Sequence, residues 1–183
     1  MAAKDRKVVT GGGMRSNSFE AAMKYARAAY IVDAKGPTTI GAFTRKYHLK
    51  QEASYANAYH AYIKSFPSEI EAMRKIAELY AGRVNIMIDT YEINKGLKNF
   101  IIVCKELKRS GKNLPNVIID SGDLLKNSIK VRVELNKHRL KEVKINIAGN
   151  LDENKISDFI KKKIPVDVFL VHTETLTVAD DPK

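Results

Sequence analysis

Four short segments of almost unbroken apolar character, VNIMIDT, VIID, VKINIAG and VDVFLVHT, punctuate the second half of the chain. Between them lie longer stretches whose apolar residues recur every three or four positions. In NKGLKNFIIVCKELKRSG, for example, Leu97, Phe100, Ile101, Cys104 and Leu107 fall on one helical face. DLLKNSIKVRVELNKH and LDENKISDFIKKK have the same character, the latter capped near Asp152. Strands alternating with helices of this length predict βαβ units and a parallel sheet. Strands this apolar are expected to be covered on both faces.

Each of these strands turns polar at its carboxyl end: Asp89-Thr90, Asp120-Ser121-Gly122-Asp123, Gly149-Asn150 and His172-Thr173. Right-handed crossovers return the chain to the same starting edge, so parallel strands bring such ends to one rim. That rim is where ligands bind in open α/β sheets and in (β/α)8 barrels. Asp123 stands where a helix N-terminus favours negative charge, and capping alone accounts for it or for Ser121. Asp120 is different, because a purely structural strand would leave that position apolar.

The first half is mostly helical in pattern. Residues 1–13 are polar and end in glycines, which predicts a flexible basic arm before a single domain over 14–183. SNSFEAAMKYARAAYIV reads as a helix capped by Ser16 or Ser18 and running to about Val32, and AKGPTT breaks it. TIGAFTRKYHL predicts a short helix. ASYANAYHAYIKSF is ambiguous between helix and strand. Ser68, with Glu71 three positions later, starts a helix that Gly82 stops.

No apolar run approaches the ~20 residues a membrane span requires. The start MAAKDRKVV lacks the apolar core of a secretory signal. The single cysteine, Cys104, excludes an internal disulfide and fits a reducing, cytoplasmic setting; its helical context marks it as a small buried hydrophobe. Thirty-two Lys and Arg against 21 Asp and Glu give a net charge of +11. That excess favours anionic partners, among them nucleic acid. The charge is spread thinly, however, and neither zinc-ligand spacing nor an aromatic RNA-binding signature accompanies it.

The ordered set IDTYE, IDSGDLL and GNLDENKI, with βα spacing between its members, resembles the nicotinate phosphoribosyltransferases. MRSNSFEAAMKYARAAYI is similar to that family's arginine-bearing turn and helix, YHAYIKSF to its histidine-bearing strand end, and FLVHTETLT to its last glycine-rich barrel strand. The resemblance covers about residues 10–180. It implies a partial (β/α) barrel of parallel strands with flanking helices and an N-terminal helical segment, completed by a second copy or another chain. It also implies the family reaction: nicotinate and phosphoribosyl pyrophosphate give nicotinate mononucleotide in NAD salvage, with Mg²⁺ on the phosphates and ATP coupled through a phosphorylated histidine. Matched by motif, His60 is that histidine. Asp120 and Asp123 are the acids near ribose and pyrophosphate. Arg15, Asp89, Thr90, Ser121, Gly122 and Gly149 are substrate- or phosphate-binding positions.

Several positions depart from the family pattern. Met14 and Ile118 stand where it has arginines, Asn150 where it has an acid, and Leu170 and His172 where glycines admit a phosphate to the backbone. Three functions follow as expectations: an impaired phosphoribosyltransferase, a basic interaction module that keeps the fold within a larger assembly, or a nucleotide or nucleic-acid binder using the same rim. Tyr55, Tyr59 and Tyr62 are candidates either to stack a pyridine ring or to pack a core. His48 and His138 read as surface residues.

Overall fold

In the computed structural model, residues 3–11, 15–32, 41–48, 56–80 and 82–177 are described. Met14 and Tyr55 lie outside them. The chain divides into two compact units, one formed by residues 55–147 and the other by 1–54 together with 148–183.

The unit of residues 55–147 is built from β/α repeats. Its strands are β2 (Ala56–Ala58), β3 (Val84–Met87), β4 (Asn116–Ile119) and β5 (Ile145–Ile147). They pair in chain order, each parallel to the next. Helices α3 (His60–Lys64) and α4 (Glu69–Leu79) follow β2, α5 (Ile93–Arg109) follows β3, and α6 (Leu124–Lys137) follows β4. The α/β class and the parallel repeats of a partial barrel are therefore as expected. Ala58, Ile86, Val117, Ile119, Ile145 and Ile147 are fully buried. They share one face of the sheet, because neighbouring strands pair Ala58 with Ile86, Ile86 with Val117 and Val117 with Ile145. The helices add Met73, Phe100, Cys104, Val131 and Leu135 to this core, each fully buried.

The opposite face is mixed, which corrects the expectation of strands greasy on both sides: buried Met87 and Ile118 share it with polar side chains. It carries one asparagine from each strand: Asn57, Asn85, Asn116 and Asn146. Asn85 is the hub. Its Nδ2 donates to Asn57 Oδ1 at 2.8 Å, and its Oδ1 accepts from Asn116 and Asn146 at 3.1 Å each. Asn116 Oδ1 in turn accepts the backbone N–H of Lys144 at 3.3 Å. These bonds offset the desolvation of the amide groups they join, while Asn146 Oδ1 is buried without a partner among the described residues.

The other unit holds α1 (Phe19–Ile31), α2 (Gly41–Lys46), α7 (Glu153–Lys161), α8 (Thr173–Thr177) and the parallel pair β1 (Lys7–Thr10) and β6 (Val168–Val171). Ser18 caps α1 and Asp152 caps α7, as the sequence predicts. The predicted flexible arm is corrected here: four of its residues form β1, paired from Lys7↔Val168 to Thr10↔Val171. The β-branched run Val8-Val9-Thr10 suits a strand. Arg6 secures its start by donating to the carbonyl of Ile164 at 2.7 Å, and Gly11 N–H secures its end on Val171 O at 3.0 Å.

Replacing the hub tests the asparagine row. Asn85→Ala is expected to lower the unfolding free energy by about 1–3 kcal/mol, because it strands the amides of Asn116 and Asn146. Urea denaturation measures it, and a change within ~0.5 kcal/mol would contradict the role.

Candidate functional site

Three consecutive strand ends of the 55–147 unit supply one polar cluster. His60 opens α3 two residues after β2 ends. Asp89 and Thr90 follow β3, and Asp120, Ser121 and Gly122 follow β4. Ile88, fully buried, continues the strand direction by donating its N–H to Ile118 O at 3.3 Å, which brings the two turns side by side.

Asp89 joins those turns. Its Oδ2 accepts the backbone N–H of Asp120 at 2.8 Å and the hydroxyl of Ser121 at 2.7 Å. Its Oδ1 is buried without a hydrogen-bond partner among the described residues. His60 lies across the cluster. Its Nδ1 is 3.1 Å from Thr90 Oγ1, and its Nε2 is 3.7 Å from Asp120 Oδ2, an ion-pair distance once the imidazole is protonated. The side chains of His60 and Asp120 are 34% and 27% exposed, so a solute can reach both. Gly122 turns the chain at φ +71°, where other residues are strained. A hydroxyl on one imidazole nitrogen and a carboxylate near the other equip His60 to move a proton or carry a transferred group.

Asp123 takes the capping role. Its Oδ1 accepts Lys126 N–H at 3.0 Å, and that bond, followed by the lysine ammonium, holds its carboxyl below the usual range. Arg15 and Gly149 lie in the other unit. Arg15 is exposed just before α1, and Gly149 sits half-buried at φ +86° ahead of Asn150, whose carbonyl accepts from Lys155 Nζ at 2.6 Å. His172 directly precedes α8, whose five residues continue from β6 as a helix. Tyr59 is exposed beside His60, while the Tyr62 ring meets Phe66 at 5.0 Å in a tilted pair. Cys104 is buried and its thiol is pushed up to about 12, chiefly by desolvation, so it is no nucleophile.

Two features behind the cluster escaped the sequence reading. Gly96, in the first turn of α5, lets that helix sit against the end of β3; a Cβ there would lie 1.9 Å from Ile88 O. Glu69 is buried near it, with Oε2 accepting from Asn99 at 2.9 Å and Oε1 unpartnered. Helix periodicity alone places Glu69 in a first turn and says nothing of its burial.

Among the described residues no three His, Cys, Asp or Glu side chains converge as a metal site, and of the cluster's two carboxylates Asp89 has its Oδ1 buried while Asp120 is partly exposed. No helix among the described residues is long and apolar enough to cross a membrane.

No family model matches the chain. Among curated proteins it is 32% identical over 181 residues to a nicotinate phosphoribosyltransferase of Mycobacterium tuberculosis, an alignment covering 99% of this chain and 38% of the relative. It is 29% identical over 179 residues to the nicotinate phosphoribosyltransferase of Bacillus subtilis, covering 97% of this chain and 35% of that protein. The chain thus spans somewhat over a third of the length of these relatives. Among solved structures it superposes on human nicotinic acid phosphoribosyltransferase with a TM-score of 0.79 at 16% identity, over 93% of this chain and 44% of that one. The Vibrio cholerae nicotinate phosphoribosyltransferase gives 0.75 at 15% identity, over 94% and 42%. At such identities the structural likeness speaks for the fold.

Glu69 generates a pH prediction. Burial, aided by Glu92 and Asp89, raises its carboxyl above the ordinary 4.5, although Asn99 and Lys95 oppose this. Below 4.5 the group is neutral folded or unfolded and costs nothing. Above its raised native value the fold must hold the charge, so stability is lost as pH climbs between the two. Glu69→Gln is expected to raise the melting temperature at pH 7 and to match wild type near pH 4. A variant less stable at pH 7 would contradict this.

Proposed function

The chain is homologous along nearly its whole length to the nicotinate phosphoribosyltransferases, and from that premise we propose that its strand-end cluster is the acid and histidine rim of a phosphoribosyl-transfer site. The observation that carries this reading is the connected set His60, Thr90, Asp89, Asp120 and Ser121 at adjacent strand ends. Displacement of pyrophosphate from phosphoribosyl pyrophosphate develops positive charge at the ribose C1. Asp120, its orientation fixed through its own N–H by Asp89, faces that charge. His60 carries the phosphoryl group that ATP donates, with Thr90 and Asp120 holding the ring. Gly122 lets substrate approach the turn, and nicotinate is the acceptor.

In this reading the chain by itself is an impaired catalyst. Ile118, where the family has an arginine, is fully buried and offers no charge to an anionic ligand. The same observation favours the second reading, an interaction module that keeps the fold within a larger assembly or as an oligomer. The net charge of +11 suits that role as well.

Pyrophosphate release from nicotinate, phosphoribosyl pyrophosphate, Mg²⁺ and ATP decides between them. Turnover is expected above background but about 10²-fold or more below a full-length relative assayed alongside, as loss of one preorganised cationic group implies. His60→Ala and Asp120→Asn should abolish it. A folded chain with no turnover, oligomeric by light scattering, would overturn the catalytic reading in favour of the module. Turnover unchanged in both variants would overturn the assignment of the rim.

A further inference from the structure

The same unit carries a cleft where its strands begin, at the end of the sheet opposite the His60 cluster. This cleft has a volume of about 610 Å³, within the usual span for a small-molecule site. The segments entering β3, β4 and β5 form it: Gly82-Arg83, Gly111 to Leu114, and Glu142 with Lys144, joined by Lys108 and Asn116. Four of these side chains are cationic and one is anionic. The anion is already matched, because Lys108 Nζ donates to Glu142 Oε1 at 2.7 Å and to Arg139 O at 2.9 Å. Arg83, Lys112 and Lys144 remain, all exposed, and none pairs with an acid of the described residues.

Packing like charges around one hollow is unfavourable until a counter-charge fills it. The cleft is also built to hold its shape. Gly82 turns at φ +78° and lies so close to the opposing segment that a Cβ would meet Asn113 O at 1.9 Å. Asn116, which lines it, is tied to Asn85 and to the N–H of Lys144. The lining contains no aromatic ring, so it lacks the stacking platform that single-stranded nucleic acid uses. Leu114 is its one large apolar side chain.

The geometry points to a site for a compact polyphosphate anion, gripped through its phosphate chain by Arg83, Lys112 and Lys144. The anion could be free polyphosphate or the tail of a nucleoside triphosphate, and the chemistry recognised is the same. This site is separate from the proposed catalytic rim and does not depend on that rim being active.

Titration of the full 183-residue chain with tripolyphosphate, followed by amide NMR, tests it. Saturable shifts are expected at Gly82, Gly111, Lys112 and Lys144, with Thr90, Ser121 and Gly122 unmoved. Lys112→Glu combined with Lys144→Glu should weaken binding about tenfold or more. Lys64→Glu with Lys98→Glu, the same change in net charge on exposed positions outside the lining, should weaken it less than about twofold. ATP should bind these amides about as tightly as tripolyphosphate. The inference is overturned if a folded chain shows no saturable shifts, if the shifts fall at the catalytic rim alone, or if both double variants lose affinity equally. It is also overturned if ATP binds far more tightly, which would mean a base pocket, or if a short single-stranded RNA outcompetes tripolyphosphate, which would assign the surface to nucleic acid.

Discussion

One carboxylate oxygen holds the candidate site together. Asp89 Oδ2 takes the N–H of Asp120 and the hydroxyl of Ser121, so the turn after β3 and the turn after β4 cannot move apart without losing both bonds. Hydrogen bonds to an ionised acceptor are stronger than neutral ones. The arrangement fixes Asp120 through its main chain and sets its carboxylate 3.7 Å from His60 Nε2. Behind it, Gly96 lets α5 pack onto Ile88 O, so the helix following Asp89 begins against the strand end that carries it. The site's geometry is thus a consequence of strand packing more than of loop conformation.

The sheet of the 55–147 unit separates two kinds of stabilisation. One face buries Ile86, Val117, Ile119, Ile145 and Ile147 under the helices, where removal of apolar area from water supplies the driving force. The other carries an asparagine row hydrogen-bonded around Asn85, with Asn146 Oδ1 left unpartnered among the described residues. The row crosses the strands toward their starting ends, where Asn116 also lines the cationic cleft. The two edges of the sheet therefore differ in chemistry: acids, two hydroxyls and an imidazole at the strand ends, and cations where the strands begin.

Much of this was legible in the sequence. The strand–helix alternation, the caps at Ser18, Ser68, Asp123 and Asp152, and the polar strand ends all depend on local chemistry. What was hidden depends on distant pairing. β1 is only four residues long within a polar segment, and its Val8-Val9-Thr10 run becomes a strand because β6, far along the chain, offers it an edge. Each strand shows one asparagine, but that they form a row emerges only once the registers align Asn57, Asn85 and Asn116. The contacts of His60 with Thr90 and Asp120 likewise span separate repeats. Asp123 was legible both as cap and as candidate acid, and its hydrogen bond to Lys126 N–H shows the cap. The cleft leaves no mark in the sequence, because Arg83, Lys112 and Lys144 stand one per loop and form no run of charge.

The most direct measurement is hydrogen exchange at the Asp120 amide in Asp89→Asn, compared with the unmodified chain. If the Asp89 carboxylate couples the two turns, that amide exchanges at least about tenfold faster, equivalent to ~1.4 kcal/mol of lost protection, while the Val117 and Ile118 amides keep their rates. An Asp120 amide as protected in the variant as in the parent would contradict the claim that this carboxylate organises the site.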